Sequence, residues 1–142
     1  MKGFGSQKKS KNKKIKNFTE DNFKEQIIYK AFKLHSEGNI SEATKYYQSF
    51  IKQGFKDFRV FSNYGFILID LGNFKDAELY LRKAIALKPD YAEAHLNLGN
   101  ILQGLGNFKE AAISSHKAIA LKPDFVIAHF NLGIILINLG QL

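Results

Sequence analysis

The feature that most constrains this chain is an internal repeat with a fixed period. "GNFKDAELYLRKAIALKPDY" (72–91) lies over "GNFKEAAISSHKAIALKPDF" (106–125) with 13 of 20 positions identical, at an offset of 34. "PDYAEAHLNLGNILQGLGNF" (89–108) lies over "PDFVIAHFNLGIILINLGQL" (123–142) with 11 of 20 identical, at the same offset. A period between 20 and 50 residues means that one supersecondary unit is being stacked. A single unit of that size cannot bury its own apolar face, so its neighbours must.

Each unit reads as two helices. In the copy starting near residue 92, Ala94, Leu98, Ile101, Leu102 and Leu105 recur at helical spacing. Gly106-Asn107 supplies a turn, because Gly takes positive φ freely and Asn tolerates it. A second helix follows with Phe108, Ala111, Ala112, Ala118, Ile119 and Leu121. Pro123 ends it, since Pro lacks the N–H of the helix ladder and disfavours helix in the residue before it. No stretch shows strand alternation. Small residues recur in pairs, Gly99 with Ala111 and Gly65 with Ala77, with Ala31 and Ala43 as a weaker third pair. They predict close contact between paired helices.

This pattern resembles the tetratricopeptide repeat (TPR) family. The family's Leu-Gly pair appears as Tyr64-Gly65, Leu98-Gly99 and Leu132-Gly133. Its helix B alanines are Ala77 with Ala84 and Ala111 with Ala118, and its closing prolines are Pro89 and Pro123. The resemblance implies an all-α fold, a right-handed helix–turn–helix solenoid of about three and a half repeats. The expected organisation is a disordered Lys-rich tail at 1–21 and a degenerate first repeat at 22–57. Full repeats follow at 58–91 and 92–125, then the first helix of a truncated fourth at 126–142. The first repeat has Lys30 where Leu is expected and Phe50 where Ala is expected. It lacks the closing Pro, and Gly54 is expected near its C-cap. Asn22 and Glu25 are expected to form a capping-box variant at its start.

Charge narrows the function classes. Residues 1–17 hold seven Lys and no acid, so +7 of the net +8 belongs to the tail and the remaining 125 residues carry only +1. A solubilising leader is the expected role, with contact to nucleic acid or an anionic membrane surface only weakly supported by charge attraction. There is no Cys, which excludes thiol catalysis and zinc-thiolate sites. No phosphate-binding loop or nucleophile elbow is present. His95 and His129 lie one repeat apart, but they occupy the slot where the family carries a bulky side chain, and two His make a poor metal site. No catalytic residue, cofactor site or metal site is therefore expected, and no apolar run long enough to span a membrane is seen. A cytoplasmic, bacterial protein suits these features.

The candidate site follows from the resemblance, which places the first helix of each repeat along a concave groove. One register position there is Asn63, Asn97 and Asn131. A row of amides can hydrogen-bond an extended peptide backbone without reading its side chains. It is similar to the asparagine ladder of O-linked N-acetylglucosamine transferases. Asn100, Arg59, Phe66 and Glu93 are the further groove candidates. The other familiar TPR mode clamps a C-terminal carboxylate with basic side chains. Here only Arg59 is basic, and Glu93 and Asp70 would repel a carboxylate.

The expected role is a scaffold that binds a peptide or partner domain without catalysis of its own. An alternative is the recognition arm of a larger enzyme, a glycosyltransferase, sulfotransferase or methyltransferase, whose catalytic domain lies beyond Leu142. "NLGIILINLGQL" (131–142) is apolar nearly all round, so self-association through this last helix is a further expectation.

Overall fold

The computed structural model describes residues 4–141, and side chains from residue 13 onward except residue 15. Seven helices are found among the described residues, and no strand. They are α1 (Phe4–Ser36), α2 (Ile40–Lys52), α3 (Phe58–Asp70), α4 (Phe74–Leu87), α5 (Ala92–Gly104), α6 (Phe108–Leu121) and α7 (Val126–Asn138). They divide between two compact units, Met1–Phe55 and Lys56–Leu142.

In the first unit α1 pairs with α2. Tyr47 and Phe50 of α2 are fully buried, and Ile27, Ile28 and Ala31 of α1 are buried with them. Each large apolar side chain so placed stabilises the unit by about 1.5–3 kcal/mol. The Tyr47 hydroxyl meets His35 Nδ1 at 3.0 Å, so burying this ring leaves its polar end with a partner. Phe55 packs against Phe50 with the rings tilted, 5.4 Å between centroids, and meets Phe23 edge-on.

Helix α1 departs from expectation. It starts at Phe4, so residues 4–21 are helical where a disordered tail is expected, and Asn22 lies inside the helix instead of capping it. The tail expectation rested on burial, and the described side chains of 13–22 are indeed all exposed. Polarity argues against packing but not against helix formation. Lys is a good helix former, and no Pro interrupts the run. The expected tail's first three residues lie outside the described residues.

In the second unit the helices pair in order, α3 with α4 and α5 with α6, and α7 then packs on α6. The turn in each pair has one design. A Gly takes the left-handed conformation, φ 75° at Gly72 and 78° at Gly106, and the next residue, Asn73 or Asn107, is the N-cap position of the following helix. An L side chain at that φ would be strained, so Gly is required there. Asn73 Oδ1 accepts from the Asp76 amide at 3.4 Å, while Asn107 makes no such cap. Helix α6 ends one residue before Lys122, with Pro123 following, as the loss of a ladder donor requires.

The paired helices meet at the small residues. A Cβ added to Gly65 would lie 2.9 Å from Leu81 Cγ and 3.4 Å from the Ala77 carbonyl oxygen; one added to Gly99 would lie 2.9 Å from Ser115 Oγ and 3.4 Å from the Ala111 oxygen. Ala77, Ala84, Ala111 and Ala118 are all fully buried along this seam. Ser115 stands where the previous repeat has Leu81. Its hydroxyl is buried, with no hydrogen-bond partner among the described residues.

The seam yields three stability predictions. Gly65→Ala gains helix propensity but forces Leu81 aside, so it should lower unfolding stability by about 1–3 kcal/mol. Gly104→Ala, with open space around the added carbon, should instead be neutral or stabilising by up to about 1 kcal/mol. Ser115→Ala removes an unpaired buried hydroxyl and should raise stability by about 1 kcal/mol. Urea unfolding followed by circular dichroism reads all three.

Candidate functional site

Asn63 on α3, Asn97 on α5 and Asn131 on α7 hold the same register on the first helix of successive pairs, and all three are half-buried. The side chains before them differ in exposure: Ser62 and Leu96 are buried, while Phe130 is 68% exposed. Asn63 and Asn97 make no side-chain hydrogen bond to the described residues, so both amides are open. Asn131 is partly engaged: its Nδ2 donates to Asn100 Oδ1 at 2.5 Å, across one repeat. The equivalent partner for Asn97 would be residue 66, which is Phe and cannot accept. The row is therefore chemically uneven, with two open amides and one held by its neighbour.

The flanking candidates are placed as follows. Phe66 is 42% exposed, one turn after Ser62 on α3. Glu93 opens α5 and lies 3.9 Å from Lys122 Nζ, a solvent-exposed pair worth little. Arg59 is not a free cation. Its guanidinium holds both carboxylate oxygens of Asp57, Nε at 3.1 Å and Nη2 at 2.8 Å. Asp57 Oδ1 also accepts from the Arg59 amide at 2.8 Å and so caps α3.

The Asp57 carboxyl feels opposed influences. Partial burial pushes its pKa up, but the Arg59 side-chain hydrogen bond, the Arg59 amide, the Arg59 charge and the Val60 amide together outweigh that and hold it below its ordinary 3.8. A lowered folded-state pKa means the stabilisation is present above 3.8 and is lost as pH falls through the lower folded value. Asp57→Asn keeps a capping oxygen but loses the ion pair. Its unfolding midpoint should therefore depend less on pH below about 4 than that of the wild type, as read by urea titrations from pH 2 to 6.

His95 and His129 have a role that the sequence pattern did not reveal. Each Nε2 lies 2.8 Å from the carbonyl oxygen of a repeat-closing proline, Pro89 or Pro123. A carbonyl only accepts, so each Nε2 carries the proton and donates. The recurring spacing of six residues between Pro and His was the available signal. Among the described residues no group of three His, Cys, Asp or Glu is placed to hold a metal ion. No helix among them is long and apolar enough to cross a membrane.

A hollow of about 510 Å³ lies elsewhere, lined by Arg82, Ile85, Ala86, His95, Leu98, Ile113, Ser114 and Lys117. Most of these lie on the second helices, α4 and α6, and none belongs to the Asn row. It is open and its exposed lining is mostly apolar, so it offers no repeated row of amides of the kind that Asn63, Asn97 and Asn131 form.

Family models match two overlapping stretches of the chain. A TPR repeat model covers residues 65–106 and a tetratricopeptide repeat model covers 92–125. Residues 65–125 are tetratricopeptide repeats. Known TPR structures share the fold. MamA superposes with a TM-score of 0.77 at 22% identity, over 87% of this chain and 67% of that one. The first TPR domain of Spaghetti (RPAP3), bound to an HSP90 peptide, superposes with a TM-score of 0.76 at 22% identity, over 82% and 93%. An O-GlcNAc transferase mutant from Thermobaculum terrenum gives 0.72 at 26% identity, over 80% of this chain but only 22% of that one. No curated protein matches by sequence. TPR repeats as a class mediate protein–protein interaction, and the all-α repeat architecture here is of that class.

Proposed function

We propose that this chain is a protein-interaction module that binds an extended peptide segment through Asn63, Asn97 and Asn131. The observation that carries it is the recurrence of a half-exposed amide at one register on α3, α5 and α7, with Asn63 and Asn97 left open. An amide offers both a donor and an acceptor, and a peptide backbone needs both. Asn100 positions Asn131, and Phe66 adds an apolar contact. The module supplies recognition and no catalysis of its own. Its lysine-rich start serves solubility.

The proposed ligand is not an acidic C-terminal tail. Spaghetti's TPR domain binds an HSP90 peptide, but here the one basic candidate, Arg59, is already bidentate to Asp57. Glu93 and Asp70 add negative charge, which disfavours a free carboxylate.

Peptides selected from a random displayed library against the wild-type protein supply the probe. Replacing Asn63, Asn97 and Asn131 together by Ala should weaken the selected peptides by about tenfold or more, at 0.5–1.5 kcal/mol for each hydrogen bond. Unchanged affinity in calorimetry would sink the proposal.

A second reading is favoured by the transferase likeness. In it, this chain is the substrate-recognition arm of a larger enzyme. Sequencing the gene past the codon for Leu142 decides this: a reading frame continuing into a patterned α/β segment supports the arm, and a stop codon removes it.

A further inference from the structure

From the charge and shape of α1, we infer that the lysine-rich part of this helix is a binding element for duplex DNA, gripping phosphates without reading sequence. Lys8, Lys9, Lys11, Lys13, Lys14 and Lys16 all lie inside the helix Phe4–Ser36, and no acid comes before Glu20. Solubility needs only this net charge, whereas the helix adds an arrangement of it. Ion pairing within the chain does not use the charge up. Lys13, Lys14 and Lys16 are exposed, and none has a partner among the described residues. Core packing does not use the segment either, since the buried residues of α1 begin at Ile27. Four pairs of lysines stand three or four residues apart: Lys8 with Lys11, Lys9 with Lys13, Lys11 with Lys14, and Lys13 with Lys16. Like charges at that spacing oppose the helix, and a polyanion alongside relieves them.

The distribution of charge around the helix selects the polyanion. At about 100° per residue, the six lysine positions fall on every side of the axis. The widest arc without Lys, about 100°, holds Ser6, Ser10, Asn17 and Asp21, all of them polar. Phe4, Ile15 and Phe18 share a side with Lys8 and Lys11. A helix that lies on an anionic membrane buries an apolar face, and this segment has none. A flat surface would also meet the lysines of one side only. The major groove of DNA, about 12 Å wide, admits a helix about 10–12 Å across and has phosphates along both walls. The charge densities match as well. Lys8 to Lys16 spans about 12 Å of helix axis, and that length of duplex carries about seven phosphates. No Arg occurs in α1, and Lys meets phosphate as a point charge, so the element supplies affinity and not base readout.

Fluorescence anisotropy of a labelled, mixed-sequence DNA duplex with the 142-residue chain tests this. Binding should be about micromolar at about 50 mM salt, with a log–log salt slope of about −5, near 0.9 for each lysine. Replacing the six lysines by Gln, itself a good helix former, should weaken binding at least about a hundredfold and flatten the slope. Asn12→Pro keeps every Lys but breaks the helix, and should weaken binding about tenfold by removing the preformed arrangement. Phosphatidylserine vesicles at the same anion concentration should bind more weakly than the duplex. No DNA binding at low salt overturns the inference, as does a Gln variant that binds like the wild type. An Asn12→Pro variant that loses nothing, or vesicles bound as tightly as DNA, also overturns it. None of these variants touches Asn63, Asn97 or Asn131, so this test and the peptide selection fail or succeed independently.

Discussion

The close approach of paired helices at one small-residue seam is the contact on which the second unit depends. At Gly65 and Gly99 the facing helix leaves no room for a side chain, and the alanines opposite are fully buried. That proximity places the first helix of each pair at a repeated height and angle. Residues 34 apart then occupy equivalent places. The Asn row is a consequence of this repetition, on a face left open. A change that widens one seam would therefore move the row, which is why Gly and Ala hold these positions even though Gly inside a helix lowers stability by about 1 kcal/mol relative to Ala.

Most of the second unit was legible in the sequence because each of its signals is local. Period, turn glycines and closing prolines each act within a few residues, and they agree with one another. The first unit was harder. Its lysine-rich start was read by what it can bury, but helix formation in α1 needs only local backbone hydrogen bonds and permissive side chains. Asn22 and Glu25 fit a capping pattern that the continuing helix makes irrelevant, since a cap exists only where the preceding residue is not helical.

The candidate site was legible in position but not in state. The register of Asn63, Asn97 and Asn131 follows from the repeat alone. That Asn131 is held by Asn100 does not, because it depends on Asn100 replacing Phe66 in the neighbouring repeat and on two side chains meeting across helices. The Arg59–Asp57 clamp was equally hidden. The two residues are separated by one position at a helix start, where a capping carboxylate and the side chain two residues on can fold back together. The histidine bonds to Pro89 and Pro123 show the same limit. Spacing placed the residues, while their partners required coordinates.

These partnerships limit what the Asn-row face can recognise. Arg59 is neutralised within the chain, Glu93 stands near Lys122, and α7 carries no charge at all. Long-range steering of a strongly charged ligand would need an unbalanced field, and the body beyond residue 17 is nearly balanced at +1. What remains is short-range: open amides at Asn63 and Asn97, a partly shared one at Asn131, and an exposed ring at Phe66. Such groups reward an extended segment that brings unpaired backbone N–H and C=O within about 3 Å, and they discriminate weakly among its side chains. Selectivity would then come from shape along the row and from the one place where it is uneven. At α7 an incoming backbone would have to share the Asn131 amide with Asn100 instead of finding it free, so on the proposed reading this end of the row would bind on different terms from the other two.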